Sequence, residues 1–261
     1  MHMLSLKSIL VSMLIMLPAF VSAQDSIRTN KIVVTDTINK ITKVDTHKNR
    51  FIKRLKQKKN GLYGGNVYFG FAQAINAPKE VNLSMSASNE IGFELGGYRW
   101  FNHKKSQYFS VGLGFDWRNF RMTGRERFVQ NNKGELVVEG YPESATSTIS
   151  SRIKVFSVNL PFRYTFLLPK KWSMDVAAIL NFNTFASAES FYKVQDETMQ
   201  VKHHVKESYK DLHQKVVTVD FMARVHWRGL GLYVKYSPCK VINQDFGPSF
   251  TPISTGIMLG I

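Results

Sequence analysis

Charged side chains recur within segments of this chain that otherwise alternate between apolar and polar residues. Four of them are acids and four are bases, so a general acid and a general base could be drawn from them. An acid that lies among arginines has a lowered pKa, however, and donates protons poorly. Because an unpaired buried charge costs several kcal/mol, the equal numbers favour a structural salt-bridge network. The residues are Glu94, Asp116, Arg118, Arg163, Asp175, Asp220, Arg224 and Lys235.

The segment from Ile153 to Phe182 shows which elements would position these charges. Apolar and polar residues alternate on both sides of Pro169-Lys170, and this period of two predicts a hairpin of two strands with a two-residue turn. Each arm is longer than a usual globular strand of about five or six residues and suits the roughly nine to eleven that cross a bilayer. The apolar sets are Phe156, Val158, Leu160, Phe162, Tyr164, Phe166 and Leu168, then Trp172, Met174, Val176, Ala178, Leu180 and Phe182.

Six further segments alternate in the same way, which makes eight predicted strands, an even number as in single-chain bacterial barrels. After the first 23 residues no apolar run reaches the roughly 18 residues of a membrane helix. We therefore predict an all-β fold, an eight-stranded antiparallel transmembrane β-barrel. Eight strands enclose room only for side chains or one small ligand, so the charged residues should plug the lumen. The six segments are 62–75, 90–101, 107–121, 215–227, 230–238 and 251–261.

The connections between these segments alternate in length. Long connections belong outside the cell and short turns in the periplasm, which puts both termini of the barrel in the periplasm. Trp100, Trp172 and Trp227 each lie within two residues of a short turn and predict an aromatic girdle at the inner interface. A soluble lipocalin-like barrel has no reason for this placement. Long connections occupy 76–89, 122–151, 187–213 and 239–250, and short ones are Asn102-His103-Lys104-Lys105, Pro169-Lys170 and Arg228-Gly229.

Pro161 interrupts the pattern, because proline cannot donate a hydrogen bond to a ladder and a closed barrel has no free edge. We expect either a local bulge or an unpaired donor position.

The first 60 residues differ from the rest of the chain. Lys7, the apolar run Ile9 to Leu17 and Val21-Ser22-Ala23 predict a signal peptide at 1–23, with an uncleaved amphipathic helix as the alternative. Residues 24–60 hold 11 Lys and Arg against three Asp and predict a basic periplasmic tail or linker. It could bind anionic phospholipid or an acidic periplasmic protein, or act only as a tether. Nucleic acid is not an expected partner of an exported chain.

Three strand segments carry a family resemblance: SVNLPFRYTF from Ser157, GLGLYVKYSP from Gly229 and STGIMLGI from Ser254. With these segments the chain resembles the PorT-like outer-membrane β-barrel family of the Bacteroidetes over about 61–261. The resemblance implies an integral protein of the cell outer membrane, in contact with its lipid. Some family members are linked to protein secretion, and no functional residue carries over.

No catalytic motif stands out elsewhere: GxSxG, HExxH, P-loop and dinucleotide patterns are missing from the sequence. His203, His204 and His213 could ligate a metal, but adjacent histidines in a loop are usually solvated, so we expect neither metal nor cofactor. Two hypotheses remain. The first is a non-enzymatic barrel that acts through protein partners in surface assembly, adhesion or secretion. The second is a lipid-modifying hydrolase or acyltransferase.

Overall fold

Antiparallel strands make up nearly all regular structure in the part of the chain that the computed structural model describes, residues 59–78, 81–145, 149–195, 202–210, 212–243, 245–248 and 250–260. All of these residues belong to one compact unit, Phe51–Ile261. The predicted signal peptide and the tail up to residue 58 lie outside the described residues. The strands are β1 Gly61–Tyr63, β2 Asn66–Ile75, β3 Asn89–Phe101, β4 Gln107–Arg121, β5 Glu126–Gln130, β6 Leu136–Gly140, β7 Ser150–Leu167, β8 Trp172–Gln195, β9 Lys202–Lys210, β10 Val217–Trp227, β11 Leu230–Tyr236 and β12 Thr251–Gly260.

Within the described residues, eight of these strands close into a ring. Its order is β3, β2, β12, β11, β10, β8, β7 and β4, and β4 pairs with β3 again. Strands β1 and β2 both pair with β3, and the register does not change between them, since Tyr63 pairs with Gly97 and Asn66 pairs with Glu94. The predicted eight-stranded antiparallel barrel is thus confirmed.

The two faces of the barrel wall differ in polarity. On β4, Phe109, Leu113 and Trp117 are exposed outward, whereas Asp116 and Arg118 are buried. An apolar exterior around a charged interior is typical of a barrel that is surrounded by lipid. The protein is therefore an outer-membrane barrel with short periplasmic turns and long extracellular loops. Among the described residues, no helix has the length and apolar character needed to span a membrane.

The predicted outer connection 187–213 is mostly strand, which corrects the sequence-based boundary. Strand β8 continues to Gln195 and pairs there with β9. The reason lies in a one-residue register shift, where Phe156 pairs with Phe185 but Ser157 pairs with Asn183. The shift exchanges the inward and outward faces of β8, which breaks the alternation in the sequence shortly after Phe182. The connection 122–151 likewise contains a hairpin of β5 and β6.

Pro161 leaves a gap in the ladder between β4 and β7, because the pairs Gly112–Pro161 and Leu113–Leu160 drop out of the described pairing, as expected where a backbone donor is missing. The β4–β7 ladder keeps one register on either side of it, with Val111 opposite Phe162 and Gly114 opposite Asn159. No bulge forms there. The turn that follows β7 is a 3-10 turn, Pro169–Lys171, with Lys170 at φ 55° and Lys171 at φ 69°, rather than a two-residue turn.

Candidate functional site: the charged lumen and its two ends

Five buried side chains form a central cluster within the lumen. Lys235 Nζ lies 2.6 Å from Asp116 Oδ2 and 3.9 Å from Asp220 Oδ2, and it also pairs with Glu90. Arg118 Nη1 lies 3.5 Å from Asp220 Oδ2 and its Nε is 3.8 Å from Asp116. The central cluster therefore holds three carboxylates and two bases, and each of these side chains is less than 5% exposed.

A second group, the inner cluster, lies nearer the periplasmic turns. Arg224 contacts Asp175 at 2.5 Å and Glu94 at 3.0 Å. Arg163 contacts Glu94 at 2.6 Å and Asp175 at 3.6 Å. His226 Nε2 lies 3.1 Å from Asp175 Oδ2. Each carboxylate thus meets at least two basic side chains, an arrangement that fills space and braces the wall but leaves no unpaired acid for proton transfer.

The structure brings all eight charges named from the sequence into these two clusters. It also adds two residues that were not assigned to the network from the sequence, Glu90 and His226, and it brings Arg99 to the inner end of the lumen without an ion pair among the described residues. Glu90 and His226 share the inward parity of their strands, so the alternation itself could have identified them. Arg99 has the outward parity of its strand and turns inward only because the β3–β4 register shifts between Glu94 and Gly96. The Gly96-Gly97 pair is the one sequence signal for that bulge.

An apolar layer, the outer plug, closes the lumen at its extracellular end. Strands β4, β7 and β8 contribute inward side chains there, and the outer loops contribute others. Phe120 on β4 packs edge-to-face against Phe250 with ring centroids 5.1 Å apart. The buried members are Ala72, Val81, Phe120, Met122, Phe128, Leu136, Ile153, Val155, Ala186, Ala188, Leu212, Val241, Ile242 and Phe250.

Above the plug, the β5–β6 hairpin and β9 stand against the tall walls of β7 and β8 and form an outer cap. The backbone N–H of Phe128 donates to Ser151 Oγ at 2.9 Å, and Ser190 Oγ donates to the Phe128 carbonyl at 3.1 Å. The hairpin also reaches the last loop, since the Leu136 N–H donates to the Phe246 carbonyl at 2.7 Å. These buried hydrogen bonds hold the hairpin in one orientation.

Glu207 ties β9 to the β5–β6 hairpin. It forms an ion pair with Arg127 and accepts hydrogen bonds from Tyr192 at 2.9 Å and Tyr209 at 3.1 Å. Burial acts to raise the pKa of Glu207, but the hydrogen bonds from Tyr192 and Arg127 outweigh it and lower that pKa below its ordinary value. The carboxylate is therefore held in its charged form.

A polar cavity of about 220 Å³, the inner mouth, lies at the other end of the lumen, among the periplasmic ends of the strands. Its bases are Arg99, Arg163, Arg224 and His226, and Asp175 is its acid. The remaining lining residues are Tyr63, Gly64, Gly65, Asn66, Tyr108, Ser173 and Gly260. The lumen is thus closed by apolar side chains at its extracellular end and holds a polar cavity at its periplasmic end.

The other residues singled out from the sequence lie on the exterior or in the loops. Trp100, Trp172 and Trp227 are exposed at 43–45% on the outer face beside the short turns. The His204 ring packs on Phe191 and the His213 ring on Phe246. In the described ranges no group of three His, Cys, Asp or Glu side chains is placed to hold a metal ion.

No protein-family model and no curated protein matches the chain. Among solved structures, two crystal structures of Ail, the attachment invasion locus protein of Yersinia pestis, are similar to it. One is 10% identical with a TM-score of 0.35, and the match covers 78% of this chain and 100% of that one. The other, a complex with the heparin analogue sucrose octasulfate, is 11% identical with a TM-score of 0.33, and covers 76% and 100%. Similarity at this level does not establish a shared function.

Proposed function

We propose that this outer-membrane barrel is a non-enzymatic, non-conducting protein that acts through protein partners in surface assembly, adhesion or secretion. The observation that carries the proposal is the double closure of the lumen. Buried ion pairs cross its middle, and the outer plug closes its extracellular end. A barrel filled in this way offers no water path, which leaves its surfaces as the means of action.

The outer cap is the surface best suited to a partner. Its hairpin is fixed by buried hydrogen bonds on Ser151 and Ser190, and β9 is fixed through Glu207. A preorganised surface loses little conformational entropy when it binds. The same bracing would be superfluous if the outer loops served only to connect strands.

Two measurements test this function. Planar-bilayer recordings of the purified protein should show no stable open channel, and steady ion-selective openings would refute the closed lumen. Photo-reactive residues at the exposed cap positions Lys133 and Glu139 should then cross-link to protein on intact cells, with Lys104 in a periplasmic turn as the matched position. Cross-links at Lys104 alone would move the partner to the periplasm and contradict the role of the cap.

We also propose membership of the PorT-like family and, with it, a link to secretion. The support is the resemblance of three segments, which overlap β7, β11 and β12. Deleting the gene and comparing secreted proteins by mass spectrometry tests the link. Loss of specific secreted proteins, restored by the wild-type gene, would support it, and an unchanged set would contradict it.

The basic tail is proposed to bind anionic phospholipid or an acidic periplasmic protein. Its net charge of +8 over 24–60 supports this, since each base near an anionic surface contributes on the order of 1 kcal/mol, less at high salt. Deleting residues 24–59 should leave the barrel heat-modifiable on gels but weaken salt-sensitive binding to anionic vesicles. Unchanged binding at low salt would reduce the tail to a tether.

One observation favours the second candidate, a lipid-modifying enzyme. Ser173 lines the inner mouth together with His226 and Asp175, and His226 contacts Asp175 at 3.1 Å, so a serine, a histidine and an acid share one cavity. Purified protein should be incubated with outer-membrane lipids beside its Ser173→Ala variant. Acyl transfer or hydrolysis that the variant lacks would favour the enzyme over the partner-binding protein.

A further inference from the structure

The inner mouth gathers basic side chains without a matching number of acids. Arg163 and Arg224 are each paired with both Glu94 and Asp175, so those four charges cancel. Arg99 has no carboxylate partner among the described residues. The cavity therefore holds one uncompensated positive charge before the state of His226 is considered.

We propose that the inner mouth is a binding site for a phosphate group carried by a water-soluble periplasmic molecule. It is a site distinct from the outer cap, and it does not depend on the function proposed for the cap.

Arg99 is the residue that most directly supports this site. Its guanidinium lies over the rings of Phe101 at 5.4 Å and Tyr108 at 5.9 Å, and its Nε is buried without a hydrogen-bond partner. Stacking holds a guanidinium plane in place while its N–H edge stays available to an oxyanion. An arginine that is partly buried and lacks a counter-ion is costly, and a bound anion removes that cost.

The backbone is bent to bring Arg99 into the cavity. Glu90 and Glu94 face the lumen at even positions of β3, and a regular strand would turn Arg99 toward the lipid. The register shift between Glu94 and Gly96 reverses the faces, with Gly96 at φ +109°, a conformation that side chains rarely adopt. Bulges often serve to re-aim a side chain next to a functional site.

Other donors surround the same cavity from different strands. His226 on β10, Ser173 on β8 and Asn66 on β2 line it together with Tyr63 and Tyr108. Asn66 Nδ2 also donates to Glu94 at 2.7 Å, and His226 Nε2 lies 3.1 Å from Asp175. A phosphate monoester presents three oxygens to such a ring of donors, whereas a carboxylate presents two. Asp175, the one acid among the described residues of the lining, is already engaged by two arginines and His226, so it adds little repulsion.

The rim of the barrel strengthens the positive potential. Lys104, Lys105, Lys170, Lys171 and Arg228 lie in the short turns, which contain no acid. A concave site surrounded by charge of one sign concentrates counter-ions from solution. Because the cavity lies inside the ring of strands while lipid headgroups contact its outside, the expected ligand comes from the aqueous periplasm and not from the bilayer.

The test titrates the purified full-length protein, in zwitterionic detergent, with inorganic phosphate. Calorimetry or equilibrium dialysis measures the binding. Wild-type protein should bind phosphate saturably. Arg99→Gln should weaken binding by about tenfold or more, the loss expected for a charge-assisted hydrogen bond. Lys104→Gln removes the same charge from the rim, outside the lining, and should change binding by less than about twofold.

Three results would overturn the site: no saturable binding, equal weakening in both variants, or displacement of phosphate when phosphatidylglycerol is added to the micelles. The last result would assign the positive charge to lipid headgroups. Heat-modifiability on gels checks that Arg99→Gln is folded. If it is not, wild-type protein is treated with phenylglyoxal and mapped by mass spectrometry, where phosphate should protect Arg99; equal modification with and without phosphate would also overturn the site.

Discussion

Lys235 and Asp116 meet at 2.6 Å although their strands stand on opposite walls of the barrel. Strands β11 and β4 are four places apart in either direction around the ring. Arg224 on β10 and Glu94 on β3 have the same relationship, at 3.0 Å. The charges of the lumen therefore tie opposite walls together directly and do not merely line a channel.

Replacing Lys235 with methionine should destabilise the barrel strongly. The change leaves Glu90, Asp116 and Asp220 buried with Arg118 as the one remaining base of the central cluster, and breaking a buried ion pair costs about 3–5 kcal/mol. Urea unfolding in lipid vesicles, followed by tryptophan fluorescence, measures the loss. Lys133→Met on the exposed cap is the matched control and should leave the free energy of unfolding unchanged. If Lys235→Met lowers the free energy of unfolding by less than about 1 kcal/mol, water must reach the central cluster.

Glu90→Gln, unlike Lys235→Met, should not lower the stability of the barrel. The central cluster holds three acids and two bases, so removing one charge equalises the two signs while keeping the shape of the side chain. We expect the free energy of unfolding to stay within about 1 kcal/mol of wild type or to rise. The same urea titration applies, and a cost as large as that of Lys235→Met would show that Glu90 is a required ion-pair partner.

Phe128→Ala should loosen the outer cap without unfolding the barrel. Phe128 is fully buried in the outer plug, and truncating a buried phenylalanine costs about 3–5 kcal/mol. Limited proteolysis should then cut the β5–β6 hairpin faster, while heat-modifiability on gels is retained. Val129→Ala, at a half-buried position of the same strand, should have a much smaller effect. Equal protease resistance of Phe128→Ala and wild type would contradict the anchoring role.

Acid should weaken the attachment of β9 to the β5–β6 hairpin. The pKa of Glu207 is lower in the folded protein than its ordinary value of 4.5, so its contribution to stability is complete above 4.5 and is lost as the pH falls through the folded value. The protection factors of the β9 amides, which correct hydrogen exchange for its intrinsic pH dependence, should therefore fall below about pH 4.5 and not near neutrality. In Glu207→Gln the exchange should be faster at neutral pH and depend less on acid. A wild-type profile that is flat down to pH 3 would contradict the prediction.

A tag inserted at Lys133 should be reachable by antibody on intact cells, whereas a tag at Lys104 should not. Lys133 lies between β5 and β6 in the cap, and Lys104 lies in the turn between β3 and β4. Labelling at Lys104 in intact cells would reverse the assignment of sides. The equivalent outer position at Gln200 lies outside the described residues.

The alternation of the sequence determined the eight barrel strands and most of their inward charges, because side-chain direction along a strand is a local property with a period of two. Asp116, Asp175 and Lys235 could be assigned to the lumen on that basis alone. Glu94 and Arg224 follow from the same parity. The tryptophans beside the short turns likewise needed only the sequence to be placed at the strand ends.

Only the tertiary structure decided what depends on pairing between distant segments. The register shifts at Gly96 and beside Asn183 reverse the parity of β3 and β8, and a shift in a ladder is a property of two strands, not of one. Such a shift turns Arg99 into the inner mouth and extends β8 into the cap. Packing of distant loop residues such as Leu136 and Ile242 builds the outer plug, and the closure of the ring selects which buried acid meets which base.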